Sequence, residues 1–331
     1  MFEVTSSPHI QKHETVRCVM RDVLLALMPA AFVAVLVFGL RALYTMLLTT
    51  AFCIIFEYIF NHLILKKKTI NDLSAAVTGL LLAMNLPSNA PWWIMAIGAF
   101  VAIVIAKISF GGLGNNPFNP ALVGRVVLLI SWPSIMTTWQ KPQIILSIKE
   151  LFSNFDVVTA ATPLSILQER GVTELMKTDH LYAKLFFGYC GGSLGEISAF
   201  ALIIGGIYLF MRGHITWHIP LTFIGSVFLI GLIFHISDPA RYADPIFHIL
   251  SGGVMLGAIF MATDMVTSPL TNKGMIIFGI GCGIITMIIR LFGAYPEGVS
   301  FSILIMNAFT PLIDKLTAPQ RYGFTKKIGG K

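Results

Sequence analysis

A polar stretch between two long apolar regions carries a hydroxyl group that is well placed to hold a phosphate. The stretch reads Asp156-Val-Val-Thr159-Ala160-Ala161-Thr162-Pro163. Its pattern predicts that Thr162 caps the N-terminus of a helix and that Pro163 takes the first helical position, where a missing N–H is harmless. The free N–H groups and the positive dipole end of such a helix would also stabilise a phosphate on the Thr162 hydroxyl. A plain helix cap and a phosphoester are both compatible with the local pattern.

Several ionisable residues fall within or near apolar segments, where burial is costly and charges are usually paired or functional. Glu57 and Arg125 lie deepest in such segments, whereas Glu196, Asp264 and Arg290 lie near predicted ends. We interpret these residues as members of structural ion pairs, with an ion pathway as the alternative.

The remaining candidate ligands do not indicate a metal site. The four cysteines, at positions 18, 53, 190 and 282, form no C-x-x-C pair, so neither a zinc site nor an iron–sulfur cluster is predicted from this chain. Two histidine pairs, at positions 9 and 13 and at positions 214 and 218, have helical ligand spacing but lack a third ligand. We interpret the cysteines as packing residues.

The overall composition is that of a polytopic membrane protein. Of 331 residues, 56% are hydrophobic and only 12% are charged, with a mean hydropathy of +0.79, whereas soluble domains carry about 25% charged residues. A soluble enzyme, a disordered chain and a disulfide-stapled secreted fold are thereby excluded. The net charge of +7 bears on membrane orientation rather than on nucleic acid. The polar N-terminus lacks a short apolar core, so no cleaved signal peptide is expected.

Apolar runs bounded by charges, prolines or glycines predict ten membrane spans. Two of them are only 13 or 14 residues long, where about 20 are normal, and are expected to be half-helices or broken helices. The ten spans are Val23 to Leu40, Tyr44 to Ile64, Leu73 to Leu86, Trp92 to Ile108, Pro120 to Trp132, Leu194 to Phe210, Ile219 to Ile236, Ile246 to Ala262, Met275 to Ile289 and Val299 to Ile313.

The distribution of basic residues predicts that both termini are cytoplasmic. With the N-terminus inside, fourteen Lys and Arg residues fall on cytoplasmic segments and three on short outer loops, as the positive-inside rule requires. The long segment Pro133 to Ser193 then lies outside. The predicted organisation is a cytoplasmic segment 1–22, a five-helix unit 23–132, an external loop 133–193, a second five-helix unit 194–313 and a cytoplasmic tail 314–331.

Weak internal similarity suggests that the two five-helix units are repeats. Lys107-Ile-Ser-Phe110-Gly111 aligns with Arg290-Leu-Phe292-Gly293, and small-residue segments precede both. Since five spans separate the copies, the halves would be inserted upside down relative to each other, an arrangement that places binding sites near midplane at discontinuous helices. The predicted fold is an all-α polytopic membrane protein with about ten transmembrane helices in a 5+5 inverted repeat.

The segment from Asp156 to Thr162 resembles the flavinylation motif D-x-x-[S/T]-G-A-T, with Ala160 where the motif usually has glycine. Further motifs in the right order extend the resemblance over essentially the whole chain, which is similar to the NqrB/RnfD family. The compact length is closer to the D subunit of Rnf complexes than to the B subunit of Na+-pumping NADH:quinone reductases. The additional motifs are Ser7-Pro8-His9, Gly111 to Ala121, Gly192 to Glu196, Ala262 to Pro269 and Tyr295 to Gly298.

The resemblance implies a membrane subunit of an Rnf-type complex in the bacterial cytoplasmic (inner) membrane. Such a complex couples electron transfer between ferredoxin and NAD+ to translocation of Na+ or H+. The implied partners are the other membrane subunits, the iron–sulfur and flavin subunits, and a flavin transferase. With no NAD fingerprint and no cluster-binding cysteine set, this chain is not expected to complete the reaction alone.

The resemblance also implies two flavins. The first is FMN, joined to Thr162 by a phosphoester within the motif that includes Asp156 and Thr159. The second is a non-covalent riboflavin inside the helix bundle. Its candidate ligands are polar residues at two interruptions of apolar segments, which could equally be helix caps. They are Asn116 and Asn119, beside Asn115, in the first half and Asp264 and Thr267, beside Ser268, in the second.

Two other functions remain open from the sequence. One is a B-subunit-like component of a Na+-pumping NADH:quinone reductase, and the other is a secondary transporter with the same inverted repeat and no redox role. The motif ending at Thr162 favours a redox subunit, because a transporter has no need of a flavinylation motif outside the membrane.

Overall fold

A computed structural model of the protein describes residues 15–64, 72–142, 159–176, 180–293, 295 and 297–319. Apolar helices account for nearly all of this part of the chain, since they satisfy every backbone polar group within one segment. The first half contains α1 (Val16–Phe38), α2 (Leu40–Glu57, continued by a π-helical turn Tyr58–Ile64), α3 (Ser74–Met84), α4 (Trp92–Phe100, continued by a π-helical turn Val101–Ile105) and α5 (Pro120–Ser131).

The described part of the connecting segment is also folded. It contains α6 (Pro133–Met136), a two-stranded antiparallel pair of β1 (Trp139–Gln140) and β2 (Thr159–Ala160), α7 (Pro163–Leu175) and α8 (Leu181–Phe187). The second half contains α9 (Ala199–Met211), α10 (His218–Ser237), α11 (Pro245–Leu250), α12 (Val254–Leu256, continued by a π-helical turn Gly257–Met261), α13 (Asn272–Phe292) and α14 (Val299–Thr317).

Within the described residues, six helices are long and apolar enough to cross a membrane. They are α1, α2, α4 with its continuation, α10, α13 and α14. Three further apolar helices, α3, α5 and α9, have only 11 to 13 residues. The remaining predicted span is broken between α11 and α12. The predicted spans therefore coincide largely with helices, but among the described residues six rather than ten helices reach spanning length. The two short runs in the first half are short helices.

Several boundaries differ from the predicted ones. The first helix begins at Val16 rather than Val23, because Thr15 caps it and accepts a hydrogen bond from the Cys18 amide. The segment 1–22 is therefore partly helical. In the second half, Ser198 caps α9, which starts at Ala199 instead of Leu194.

The order of helix packing is the same in the two halves. In the first, α2 packs against α3 and α4, and α4 packs against α5; in the second, α10 packs against α11 and α13, and α13 packs against α14. The halves meet through α1 against α9 and through α5 against α14. One apolar core, containing Leu27, Leu82, Leu122, Phe223 and Phe278, extends through both halves.

The tightest helix contact in the second half depends on two glycines of α13. A methyl group on Gly283 would lie 2.9 Å from the carbonyl oxygen of Phe223 on α10, and one on Gly279 would lie 3.0 Å from that of Ile219. Glycines four residues apart let helix backbones approach closely in membranes, where dispersion contacts replace the hydrophobic effect.

We expect Gly283→Ala to destabilise the protein by about 1 to 3 kcal/mol, because the added methyl group overpacks this contact. Gly225→Ala on α10 is the matched control, since within the described part of the chain no atom beyond its neighbours and its own helix backbone lies within 4 Å of the added methyl group. That change should be neutral or stabilise the helix by up to about 1 kcal/mol. Thermal unfolding in detergent measures both, and an equal effect of the two substitutions would contradict the packing account.

Candidate functional site

Thr162 occupies the N-terminus of α7. Its Oγ1 accepts a hydrogen bond from the Ser165 amide at 3.1 Å and donates to Ser165 Oγ, also at 3.1 Å. Pro163 is the first helical residue. The predicted cap is thus confirmed, and the side chain is 6% exposed.

The strand that leads to Thr162 is fixed by pairing of β2 with β1, in which Thr159 lies opposite Gln140 and Ala160 opposite Trp139. Ala160 is not among the described residues with a positive φ. A Cβ atom at this position is therefore compatible with the backbone, although the motif usually has glycine. Asp156, the first residue of the motif, lies outside the described residues.

A small pocket beside Thr162 is formed by the connecting segment together with residues of the second half. Its other lining residues include Cys190, Gly191, Glu196 and Glu297. Burial raises the pKa of the Cys190 thiol to about 11, so this cysteine stays protonated at neutral pH. That state agrees with the packing role predicted for it.

A buried arginine on α5 binds both carboxylates of this pocket. Arg125 Nη1 lies 3.7 Å from Glu196 Oε1, and Nη2 binds Glu297. Nη1 also donates to Asn85 at the C-terminal end of α3. The side chains of Arg125 and Glu196 are 4% and 6% exposed. The ion-pair interpretation of Arg125 and Glu196 is confirmed, and Glu297 is an additional member.

A second buried ion pair lies just beyond the π-helical turn that continues α4. Lys107 Nζ is 2.9 Å from Glu57 Oε2 and 2.6 Å from the Ser74 hydroxyl. The ion pair predicted for Glu57 is confirmed. Lys107, counted from the sequence among the basic residues of the cytoplasmic segments, is only 2% exposed.

Arg290 has no carboxylate within ion-pair distance among the described residues, in contrast to its interpretation from the sequence. Its guanidinium instead donates to the carbonyl oxygens of His248, at 2.6 Å, and Ser251, at 2.9 Å. These carbonyls end α11, so the arginine satisfies backbone acceptors that the broken helix leaves free.

A cavity at the other end of the bundle, here called the inner cavity, brings together residues from both halves. Asn116, Asn119 and Asp264, three of the four proposed riboflavin ligands, line it together with Lys107 and His214. The fourth, Thr267, is not among the lining residues, but its hydroxyl donates to Asp264 Oδ2 at 3.3 Å. Most of the remaining lining is apolar, from α1, α3 and the π-helical turn after α12.

The two asparagines of the inner cavity differ in whether their side-chain atoms already have hydrogen-bond partners. Asn119 caps α5, and its Nδ2 donates to the Met261 carbonyl in the other half at 3.2 Å. Asn116 Nδ2 donates to the Phe118 carbonyl at 3.1 Å, whereas its buried Oδ1 has no hydrogen-bond partner among the described residues. An unpaired buried acceptor is costly unless a ligand or water supplies a donor. Asn116 is therefore better placed than Asn119 to bind a ligand.

The pocket beside Thr162 and the inner cavity lie at opposite ends of one short helix. Ser74 and Leu81 of α3 line the inner cavity, and Asn85, just beyond its last residue, binds Arg125. At 1.5 Å per residue, about 16 Å separates Ser74 from Asn85. Arg125 itself lies about 9 Å along α5 from Asn119. The buried Arg125 thus contacts the two carboxylates of the pocket beside Thr162 and also Asn85, at the end of the helix whose other residues line the inner cavity.

Comparison with known proteins identifies relatives along nearly the whole chain. A model of the NQR2, RnfD, RnfE family matches residues 3–323. The D subunit of the Na+-translocating ferredoxin:NAD+ oxidoreductase complex of Acetobacterium woodii is 48% identical over 98% of this chain and 96% of its own length. The corresponding subunit of the proton-translocating complex of Clostridium ljungdahlii is 47% identical over the same shares. The D subunit of an ion-translocating oxidoreductase complex of Halorhodospira halophila is 39% identical over 98% and 97%.

We expect Arg125→Gln to destabilise the protein by about 3 to 5 kcal/mol, because it leaves two carboxylates buried without their cation. Replacing Glu196 and Glu297 by glutamine in the same protein should recover most of this loss. Thermal unfolding in detergent compares the single and triple variants. A single variant as stable as the unchanged protein would show that the network does not hold the structure together.

Proposed function

The chain belongs to the NQR2, RnfD, RnfE family, and we propose that it is the D subunit of an ion-translocating ferredoxin:NAD+ oxidoreductase complex. The observation that carries this proposal is the match to subunits of that name at 47% and 48% identity over 98% of the chain. The complex moves Na+ or H+, the two ions in the relatives' names. Ferredoxin and NAD+ are bound by other subunits, and this chain carries electrons within the bacterial inner membrane.

The proposed architecture is a 5+5 inverted repeat with both termini in the cytoplasm. It is supported by the equal packing order of the two halves and by their contacts through α1 with α9 and α5 with α14. Lys107 and Arg290 occupy corresponding positions at the ends of α4 and α13, and each binds the interrupted helix of its own half. In this orientation Thr162 faces outward and the inner cavity faces the cytoplasm.

Thr162 is the proposed attachment site of FMN, which a flavin transferase installs with Asp156 and Thr159 as parts of its recognition motif. The fit rests on the position of the hydroxyl at the N-terminus of α7, where backbone N–H groups and the helix dipole favour a phosphate. Ser165 adds a hydroxyl 3.1 Å from Thr162 Oγ1. FMN bound here supplies one-electron and two-electron transfer, while the protein residues fix its phosphate and exclude water beneath it.

The inner cavity is the proposed site of a non-covalent riboflavin. Asn116 offers a buried acceptor that no group in the described part of the chain binds, and Asp264 offers a carboxylate at the cavity wall. The largely apolar lining suits a neutral ring better than a phosphorylated flavin, because burying a phosphate dianion costs far more free energy. Asn119 and Thr267 support this wall through their hydrogen bonds to the backbone and to Asp264.

The alternatives explain fewer observations. A non-redox transporter needs no hydroxyl at a helix N-terminus within a flavinylation motif. A B-subunit-like component of a Na+-pumping NADH:quinone reductase fits the family but not the names of these relatives, which are D subunits of ferredoxin:NAD+ or ion-translocating oxidoreductases.

We expect Thr162→Val to abolish covalent flavin, because the change removes the only oxygen of this side chain and keeps its shape. Loss of the helix cap should cost about 1 kcal/mol, so the protein still inserts. After co-expression with the transferase, fluorescence of the denatured subunit on a gel measures attachment. Thr173→Val, at an exposed threonine of α7 outside the motif, is the matched control and should retain the fluorescence. A fluorescent Thr162→Val band would refute the assignment.

We expect Asn116→Leu to lower the riboflavin recovered by acid extraction at least tenfold, because it removes a buried acceptor from the cavity wall and adds bulk. Asn115→Leu is the matched control, since Asn115 is exposed and does not line the cavity. Covalent FMN should be unchanged in both variants. Equal riboflavin in the two variants would place the second flavin elsewhere.

A further inference from the structure

A buried charged cluster joins the start of α1 to the turn between α9 and α10, at the edge of the inner cavity. Asp22 is fully buried, with Oδ2 accepting from Arg212 Nε at 2.9 Å and from His214 Nε2 at 2.8 Å. Gly213, with φ of 74°, makes the tight turn that brings both basic residues to the same carboxylate. The sequence interpretation of His214 considered only its spacing from His218, and Asp22 lies 192 residues earlier.

The cluster runs from solvent to the cavity. Arg212 has a side chain that is 50% exposed, whereas those of His214 and Asp22 are 6% and 1% exposed. His214 also lines the inner cavity, beside Met20 and Ile215. It is therefore in contact with the proposed ligand space on one side and, through Asp22, with a partly exposed group on the other.

Among the described titratable side chains that line the cavity, His214 is the one that is also joined, through Asp22, to a half-exposed charged group. Lys107 forms an ion pair with Glu57 at 2.9 Å, and Asp264 accepts hydrogen bonds from the Val266 amide and the Thr267 hydroxyl. Imidazole has an ordinary pKa close to neutrality. The carboxylate of Asp22 accepts from Nε2, which fixes the proton on that nitrogen and leaves Nδ1 as the exchanging position.

We propose that His214, oriented by Asp22, carries protons between solvent and the flavin in the inner cavity; this inference rests on the riboflavin site proposed above. Electrons arrive from a reduced iron–sulfur or flavin centre of a neighbouring subunit, and each electron pair requires a proton at ring N5. The imidazolium of His214 gives up its Nδ1 proton, directly or through a water molecule. The neutral ring keeps the proton on Nε2, which stays hydrogen-bonded to the Asp22 carboxylate. Nδ1 is then protonated again from solvent.

The charges around His214 allow a test in which two substitutions shift its protonation midpoint in opposite directions. The Asp22 carboxylate stabilises the imidazolium and the Arg212 guanidinium destabilises it. Asp22→Asn should therefore move the protonation midpoint of His214 to lower pH, and Arg212→Gln should move it to higher pH. The other charged or titratable groups that face this pair are Cys18 and Arg21 on α1 and Lys107 and Asp264 on the cavity wall.

The experiment uses the whole chain in a Thr162→Val background, so that riboflavin is the only flavin observed. Nuclear magnetic resonance of protein labelled with 15N-histidine follows the protonation of His214, identified by the signal lost in His214→Gln. Stopped-flow reduction by dithionite gives the rate of flavin reduction against pH. His214→Gln should slow this reduction about 100-fold near neutral pH and flatten the profile, with riboflavin content unchanged.

The two charge variants separate proton transfer from a structural tie between α1 and α9. A structural tie predicts lower stability in both variants and a rate profile that does not move with the resonance midpoint of His214. Proton transfer predicts shifts in opposite directions, in the resonance titration and in the rate profile alike. If Asp22→Asn fails to fold, Arg212→Gln still distinguishes the two roles. The Arg212 side chain is half exposed, so this variant should fold, and proton transfer requires the midpoints of the His214 resonance and of the rate profile to rise.

Different results would overturn the two proposals. No extractable riboflavin in the unchanged protein would refute the proposed riboflavin site and this inference with it. Normal riboflavin content with unshifted midpoints, or with an unchanged rate in His214→Gln, would refute the role of His214 alone.

Discussion

The structure depends on hydrogen bonds to the backbone N–H and C=O groups at helix ends that lie inside an apolar bundle. In a membrane each unpaired backbone group costs several kcal/mol, and among the described helices α3 is short and α11 ends at a break. At the end of α3, the carbonyl oxygens of Met84 and Leu86 accept from the amides of Gly195 and Leu194. At the end of α11, Arg290 performs the same task with side-chain donors. Each break is therefore stabilised by residues that approach it from elsewhere in the chain.

This constraint also explains where polar chemistry is concentrated. Polar side chains that satisfy a helix end must be buried near it, and they in turn require counterions or hydrogen bonds. Arg125 is shared between the end of α3 and two carboxylates beside Thr162. Lys107 is shared between the start of α3 and Glu57. The interruptions thus generate one polar site at each end of the bundle, in surroundings that are otherwise apolar.

The sequence was sufficient for the local features and insufficient for the pairings. The Thr162 cap followed from a threonine before a proline, and the short α3 followed from the length of its apolar run. The burial of Lys107 could not be predicted, because a lysine at a predicted membrane boundary is the expected positive-inside residue, and its partner Glu57 is 50 residues away. The pairing of Asp22 with His214 spans 192 residues. Only the packed helices bring such groups together.

The central claim is that the chain holds one flavin at each face of the membrane, covalently outside and non-covalently inside. The most direct measurement is quenching of flavin fluorescence by iodide in sealed vesicles of known orientation. In right-side-out vesicles, external iodide should quench the covalent flavin and leave the extractable one emitting, and inverted vesicles should give the opposite result. Quenching of both flavins from the same side would contradict the account.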